Sequence, residues 1–114
     1  MDQTGEINFK KQKKERQKME FSLKEVRKAQ IDLLHKKLKE EYSISGEYIY
    51  VDCQKKIFSE MTAYDKGKNF YFNRAEEKNE WIARYIQKRF VIDGFETEFK
   101  ITKDEFVVLV RWSD

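Results

Sequence analysis

The stretch EWIARYIQKRFVIDGFETEFKITKDEFVVLVRW, residues 80–112, changes hydrophobic period as it runs. Trp81, Ile82, Tyr85, Ile86 and Phe90 recur at the three- and four-residue intervals of one helix face. Glu80 stands four residues before Arg84, the spacing of a helical ion pair. Asp93-Gly94 ends that helix. Phe95, Thr97, Phe99 and Ile101 then alternate with Glu96, Glu98 and Lys100, the period of a half-buried strand. Thr102-Lys103-Asp104 turns the chain, and Phe106 to Trp112 follows as a last strand. It is apolar on both faces until Arg111, which predicts a central place in a sheet.

Upstream of this stretch, Asn73 with Glu76 three residues on has the pattern of a helix N-cap and capping box. Phe70-Tyr71-Phe72 fits an edge strand or aromatic packing ahead of the helix, and Asp65-Lys66-Gly67-Lys68 reads as a turn or loop. Tyr48 to Cys53 is rich in aromatic and β-branched residues and predicts a strand. Gln54-Lys55-Lys56 would turn it into a hairpin partner over Ile57 to Tyr64. A first helix is expected from about Val26 to Tyr42, with Val26, Ala29, Leu33, Leu34 and Leu38 as its apolar stripe and Gly46 closing the segment. Met19 to Leu23 admits two readings, a strand or a helix start capped by Ser22.

The helix-strand-strand unit occurs twice in this reading, at an offset of 48: Leu33-Leu34 matches Trp81-Ile82, Leu38 matches Ile86, Tyr42 matches Phe90 and Gly46 matches Gly94. The expected fold is α+β, in the order (β)-α-β-β-α-β-β. An antiparallel sheet carries two helices on one face and leaves the other face open. Residues 1–18 read as a basic arm and residues 19–114 as one α+β domain.

Charge is unevenly distributed along the chain. The chain of 114 residues has 24 Lys+Arg against 21 Asp+Glu. Residues 1–40 hold 12 cations and 7 acids, and residues 41–114 hold 12 and 14. The densest run contains Lys10, Lys11, Lys13, Lys14, Arg16 and Lys18 against the single acid Glu15. Cations this close repel one another unless an anion is near. A polyphosphate backbone supplies that anion and releases counterions on binding. A solvated tail that only aids solubility is the competing reading.

Composition leaves little for chemistry. The lone cysteine, Cys53, excludes an internal disulfide and fits a reducing compartment. The lone histidine, His35, lies among lysines on the first helix and reads as a solvated residue. Zinc sites use about four ligands, and no metal or cofactor is expected. No GxGxxG or GxxxxGK[ST] loop occurs. No apolar run approaches a membrane span, and the N-terminus has no signal-like apolar region. An enzyme is not expected.

The basic run, the central hairpin and the helix from Glu80 to Arg89 together resemble one family, the eukaryote-specific large-ribosomal-subunit protein twenty-two (eL twenty-two). That family has a Lys-run followed by a strand, as in Lys10 to Lys18 and Met19 to Leu23. It has a hairpin with a basic turn, similar to Tyr50 to Glu60. It has an aromatic-aliphatic, Lys-rich helix, then a strand, a Lys-bearing turn and an aromatic strand. Glu76, Glu77 and Glu80 stand here where the family has cations, and the loop before the hairpin is shortened to Ser43-Ile44-Ser45-Gly46.

The resemblance implies a structural constituent of the large ribosomal subunit, cytoplasmic, with ribosomal RNA and neighbouring ribosomal proteins as partners. It implies no small-molecule substrate. Lys10, Lys11, Lys13, Lys14, Arg16 and Lys18 would lie along phosphates, as would Arg84, Lys88 and Arg89 on the second helix. Lys66 and Lys68 are secondary contacts on a loop. Tyr48 and Tyr50, on one strand face, are candidates for stacking on bases. From another class, a protein-interaction module would dock through the open sheet or through the acids Glu76, Glu77, Glu80, Glu96 and Glu98.

Overall fold

The computed structural model describes residues 23–60 and 66–112. A helix over 23–42, α1, is followed by α2 (Gly46–Glu60), β1 (Gly67–Asn73), α3 (Lys78–Ile92), β2 (Glu96–Ile101) and β3 (Glu105–Arg111). The strands form an antiparallel sheet in the order β1-β3-β2. The α+β class, the antiparallel sheet and the central place of the last strand are as the sequence predicts. Phe70-Tyr71-Phe72 resolves as an edge strand within β1.

The first hairpin does not exist. Tyr48 to Cys53, Gln54-Lys55-Lys56 and Ile57 to Glu60 all belong to one helix, α2, and Met61 to Tyr64 lie outside the described residues. The buried positions of α2 are Gly46, Tyr50, Cys53 and Ile57, spaced four, three and four apart, so a helical stripe was hidden in a run also apolar at consecutive positions. Gln54-Lys55-Lys56 contains no Gly, Pro, Asn or Asp to force a reversal, and Gln and Lys are good helix formers. The 48-residue repeat therefore holds through the helices, where Leu38 and Ile86 are both fully buried, and fails after them. The family-like hairpin of Tyr50 to Glu60 is absent with it. The open question at Met19 to Leu23 falls mainly outside the described residues; Leu23 itself lies in α1.

Other boundaries move for local reasons. α1 ends at Ser43, which takes the left-handed φ of 55°, and Gly46 opens α2 instead of closing α1. Val26 and Leu33 point to solvent, Leu33 at 68% exposure, and the buried stripe of α1 is Ile31, Leu34 and Leu38 with Tyr42. Asn73 caps no helix: its Oδ1 accepts from Ala75 N (2.9 Å) in a turn, and α3 starts five residues on. The end of α3 matches expectation. Gly94 at φ 96° allows Gly94 N to donate to Val91 O (3.1 Å) and Phe95 N to Phe90 O (3.0 Å), while the Phe90 and Phe95 rings meet edge to face at 5.4 Å. This is a Schellman stop with its hydrophobic contact.

α3 is the central element. Ile82, Ala83, Tyr85, Ile86 and Phe90 are buried, and no residue from Lys78 to Ile92 is fully exposed. One side lies on the sheet, where Phe90 stacks on Phe70 of β1 at 6.0 Å. α1 and α2 pack against α3, His35 meeting the Tyr85 ring at 5.8 Å and Tyr50 the Phe90 ring at 4.7 Å. Phe106, Val108 and Val110 of β3 face this core. The opposite sheet face carries Tyr71 beside Val107, and Leu109 between Asn69 and Glu98.

α2 packs tightly against α3 at Gly46, where a Cβ would stand 2.8 Å from Cε1 of the buried Tyr85 ring. The ring is held by its own packing, so Gly46→Ala is expected to destabilise the fold by about 1–3 kcal/mol, as overpacking does. A lowered urea midpoint with an unchanged slope checks this.

Candidate nucleic-acid interface

The described structure divides the candidate cations sharply. Lys10, Lys11, Lys13, Lys14, Arg16 and Lys18 lie outside the described residues. The cations of α3 are engaged within the protein. Arg84 donates to Glu80 Oε1 (3.1 Å) and lies over the Phe99 ring at 5.1 Å. Lys88 donates to Gln30 Oε1 of α1 (3.0 Å). Arg89 donates to the Tyr85 hydroxyl (2.9 Å), pairs with Glu47 Oε1 (3.5 Å) and stacks on the Tyr50 ring at 4.5 Å. Arg89 thus joins α2 to α3 and is no free phosphate ligand. The cations expected to form a basic ridge on the second helix are each engaged by a neighbouring side chain, although Arg84 keeps 40% of its side chain exposed.

Lys68 is similarly drawn in, donating to Glu60 Oε1 at 2.8 Å. Lys66 lines a cleft of about 520 Å³ with Asp93, Glu96, Arg111 and Trp112. The tyrosine pair separates: two residues along a helix is about 200° of rotation, so Tyr48 is 78% exposed and Tyr50 1%. They share no face. Three of the five acids are also compensated, Glu76 by Lys78 (3.6 Å), Glu80 by Arg84, and Glu98 by Arg111 (3.7 Å) and Lys100 (3.8 Å). Such exposed pairs contribute little to stability, but they dilute a dense acidic patch.

The cations that sequence reasoning passed over are on α1. Every residue from 23 to 30 is exposed, among them Lys24, Arg27 and Lys28 with the single acid Glu25. These two turns extend past the helix's buried stripe, which begins at Ile31. Along the chain they continue the run that ends at Lys18. The signal is present in the sequence, where Lys24, Arg27 and Lys28 follow that run closely, but Val26 among them has the spacing of a core position.

Reactive groups are muted. His35 is half-buried against Tyr85 instead of solvated. Cys53 is 5% exposed, and burial pushes its thiol up to about 11 from an ordinary 9.0. Tyr50 donates its hydroxyl to the Asp93 carboxylate, and burial followed by that hydrogen bond moves its ionisation well above the phenol range. Among the described residues, no group of three or more His, Cys, Asp or Glu is placed to hold a metal ion, and no helix is long and apolar enough to cross a membrane. No protein-family model, curated protein or solved structure matches the chain.

Two outcomes follow from this geometry. Arg89→Ala should cost about 2 kcal/mol of stability, the scale of a lost charged hydrogen bond, read by denaturant titration as a lowered midpoint. The folded state also holds the Cys53 proton more tightly than the unfolded chain. Its contribution is complete below pH 9 and is lost as pH rises from 9.0 toward about 11, with Tyr50 adding loss in the same direction. Urea midpoints across that window should fall, and Cys53→Ala should flatten the lower part of the fall.

Proposed function

We propose that this chain is a structural RNA-binding protein, a constituent of the large ribosomal subunit. It grips ribosomal RNA through its basic N-terminal segment and the exposed start of α1. The observation that carries this reading is the placement of unburied cations. Lys24, Arg27 and Lys28 stand clear of the core, next in sequence to the run from Lys10 to Lys18, while Arg84, Lys88 and Arg89 of α3 are engaged by neighbouring side chains. The choice of ribosomal RNA over other polyanions rests on the resemblance of the basic run and of Glu80 to Trp112 to the ribosomal family.

In this reading the lysines and arginines neutralise backbone phosphates and read helical shape and charge, not base sequence. α3 serves as the rod on which the body is built. It contributes rigidity, and the reading assigns no reaction, metal or cofactor to the chain. A second reading, a protein-interaction module, is favoured by one feature: Tyr71 is 60% exposed beside Val107 on the sheet face opposite α3.

Binding to large-subunit ribosomal RNA should weaken steeply with salt, each phosphate contact contributing about 0.7 to 0.9 to the log-log slope. Replacing Lys10, Lys11, Lys13, Lys14, Arg16 and Lys18 by Gln should lower the slope by up to about 5, and replacing Lys24, Arg27 and Lys28 by up to about 3. Lys88→Gln should leave it unchanged. Fluorescence anisotropy over a salt series measures all three; an unchanged slope in the first two variants would overturn the assignment.

A further inference from the structure

The sheet order leaves β1 and β2 as its edges. Two hydrogen bonds establish which way the β1 amides point. Trp112 N donates to Lys66 O (2.8 Å), and Arg74 N donates to Asp104 O (2.9 Å). Both fit the continuous β1–β3 register, in which hydrogen-bonded and non-bonded pairs alternate. Residues 68, 70 and 72 therefore exchange their bonds with β3. Gly67, Asn69, Tyr71 and Asn73 turn their backbone N–H and C=O groups away from it. Asn73 O is taken by the Asn79 side chain (2.9 Å), and among the described residues nothing pairs with the outward groups of Asn69 and Tyr71.

Unprotected edges of this kind are templates for another strand, and proteins blunt them with charge, proline, bulges or short length. β2 carries Glu96, Glu98 and Lys100 among its six residues. β1 has seven residues, no proline and an unbroken register, and its one charge, Lys68, is drawn onto Glu60. Beside it runs a groove of about 610 Å³ between the strand and α2, lined by Ile49, Cys53, Lys56, Asn69, Phe70 and Tyr71.

The strand is complementary to itself. A two-fold axis through Phe70 sets Asn69 opposite Tyr71 of the second copy, and Gly67 opposite Asn73 of the second copy. Every outward-facing residue then meets an outward-facing residue, so the ladder closes without a slip. No charge meets its own image: Lys68, paired with Glu60 of its own chain, stands opposite Phe72 of the second copy. Because the contact is isologous it closes at two chains.

We propose that β1 pairs antiparallel with β1 of a second copy, joining the two sheets into one of six strands. The inference is independent of the RNA reading. Sedimentation equilibrium of the full chain, without RNA, should show reversible association between the 13.9 kDa monomer and a species of twice that mass. Asn69→Pro removes an N–H that β3 does not use, so circular dichroism should stay unchanged while the dimer weakens at least about tenfold. Asn69→Ala should dimerise as the parent does. If Asn69→Pro fails to fold, amide exchange on the parent decides: Asn69 and Tyr71 should gain protection as concentration rises. A monomer at every concentration, a dimer indifferent to Asn69→Pro, or larger species that keep growing would each overturn the proposal. So would protection of these amides in the monomer, which would mark another segment of the same chain on that edge.

Discussion

The rest of the molecule depends on the enclosure of α3. A helix normally buries one face and leaves the other to water, but here no residue from Lys78 to Ile92 is fully exposed. The sheet takes one side through Phe70, Phe106 and Val108, and α1 and α2 take most of the remainder through Leu38, Tyr50 and Ile57. Phe90 is the common point, its ring meeting Tyr50, Phe70 and Phe95. Aromatic rings are suited to this role because each buries a large area in an offset or edge-on contact. That concentration of rings allows a chain of lean apolar content to hold a continuous core.

Enclosure also decides where charge can act. An arginine on a surrounded helix cannot stay fully hydrated, so it must find partners inside the protein. Arg89 does so with Tyr85, Glu47 and the face of Tyr50, and it becomes a joint between helices. The N-terminal turns of α1 are in the opposite situation: among the described residues no neighbour covers them, and their cations are exposed. Similar residue types therefore serve structure in one helix and are available to a polyanion in another.

Much of the second half was legible because its signals agree. In Phe95 to Ile101 the alternation, the flanking Gly94 and the turn at Thr102-Lys103-Asp104 all specify a hairpin, and it forms. In Tyr48 to Glu60 they conflict: the residues prefer strands, but the spacing of Gly46, Tyr50, Cys53 and Ile57 is helical and no turn residue interrupts it. Propensity gave way to the face that could be buried against Tyr85 and Phe90. The candidate site followed the same pattern. The basic run was visible as density of charge, whereas the occupation of Arg84, Lys88 and Arg89 depended on neighbours distant in sequence.

By itself the sequence determined the α+β class, the terminal hairpin with β3 at the sheet's centre, the stop at Gly94 and the concentration of positive charge before α1. Each is set by local periodicity, composition or backbone stereochemistry. Only the tertiary structure decided that Tyr48 to Glu60 is a helix, that Val26 and Leu33 face water, and which cations stay free. Those outcomes depend on which surfaces meet, and a side chain's burial or hydration is a property of the assembled fold that no local window contains.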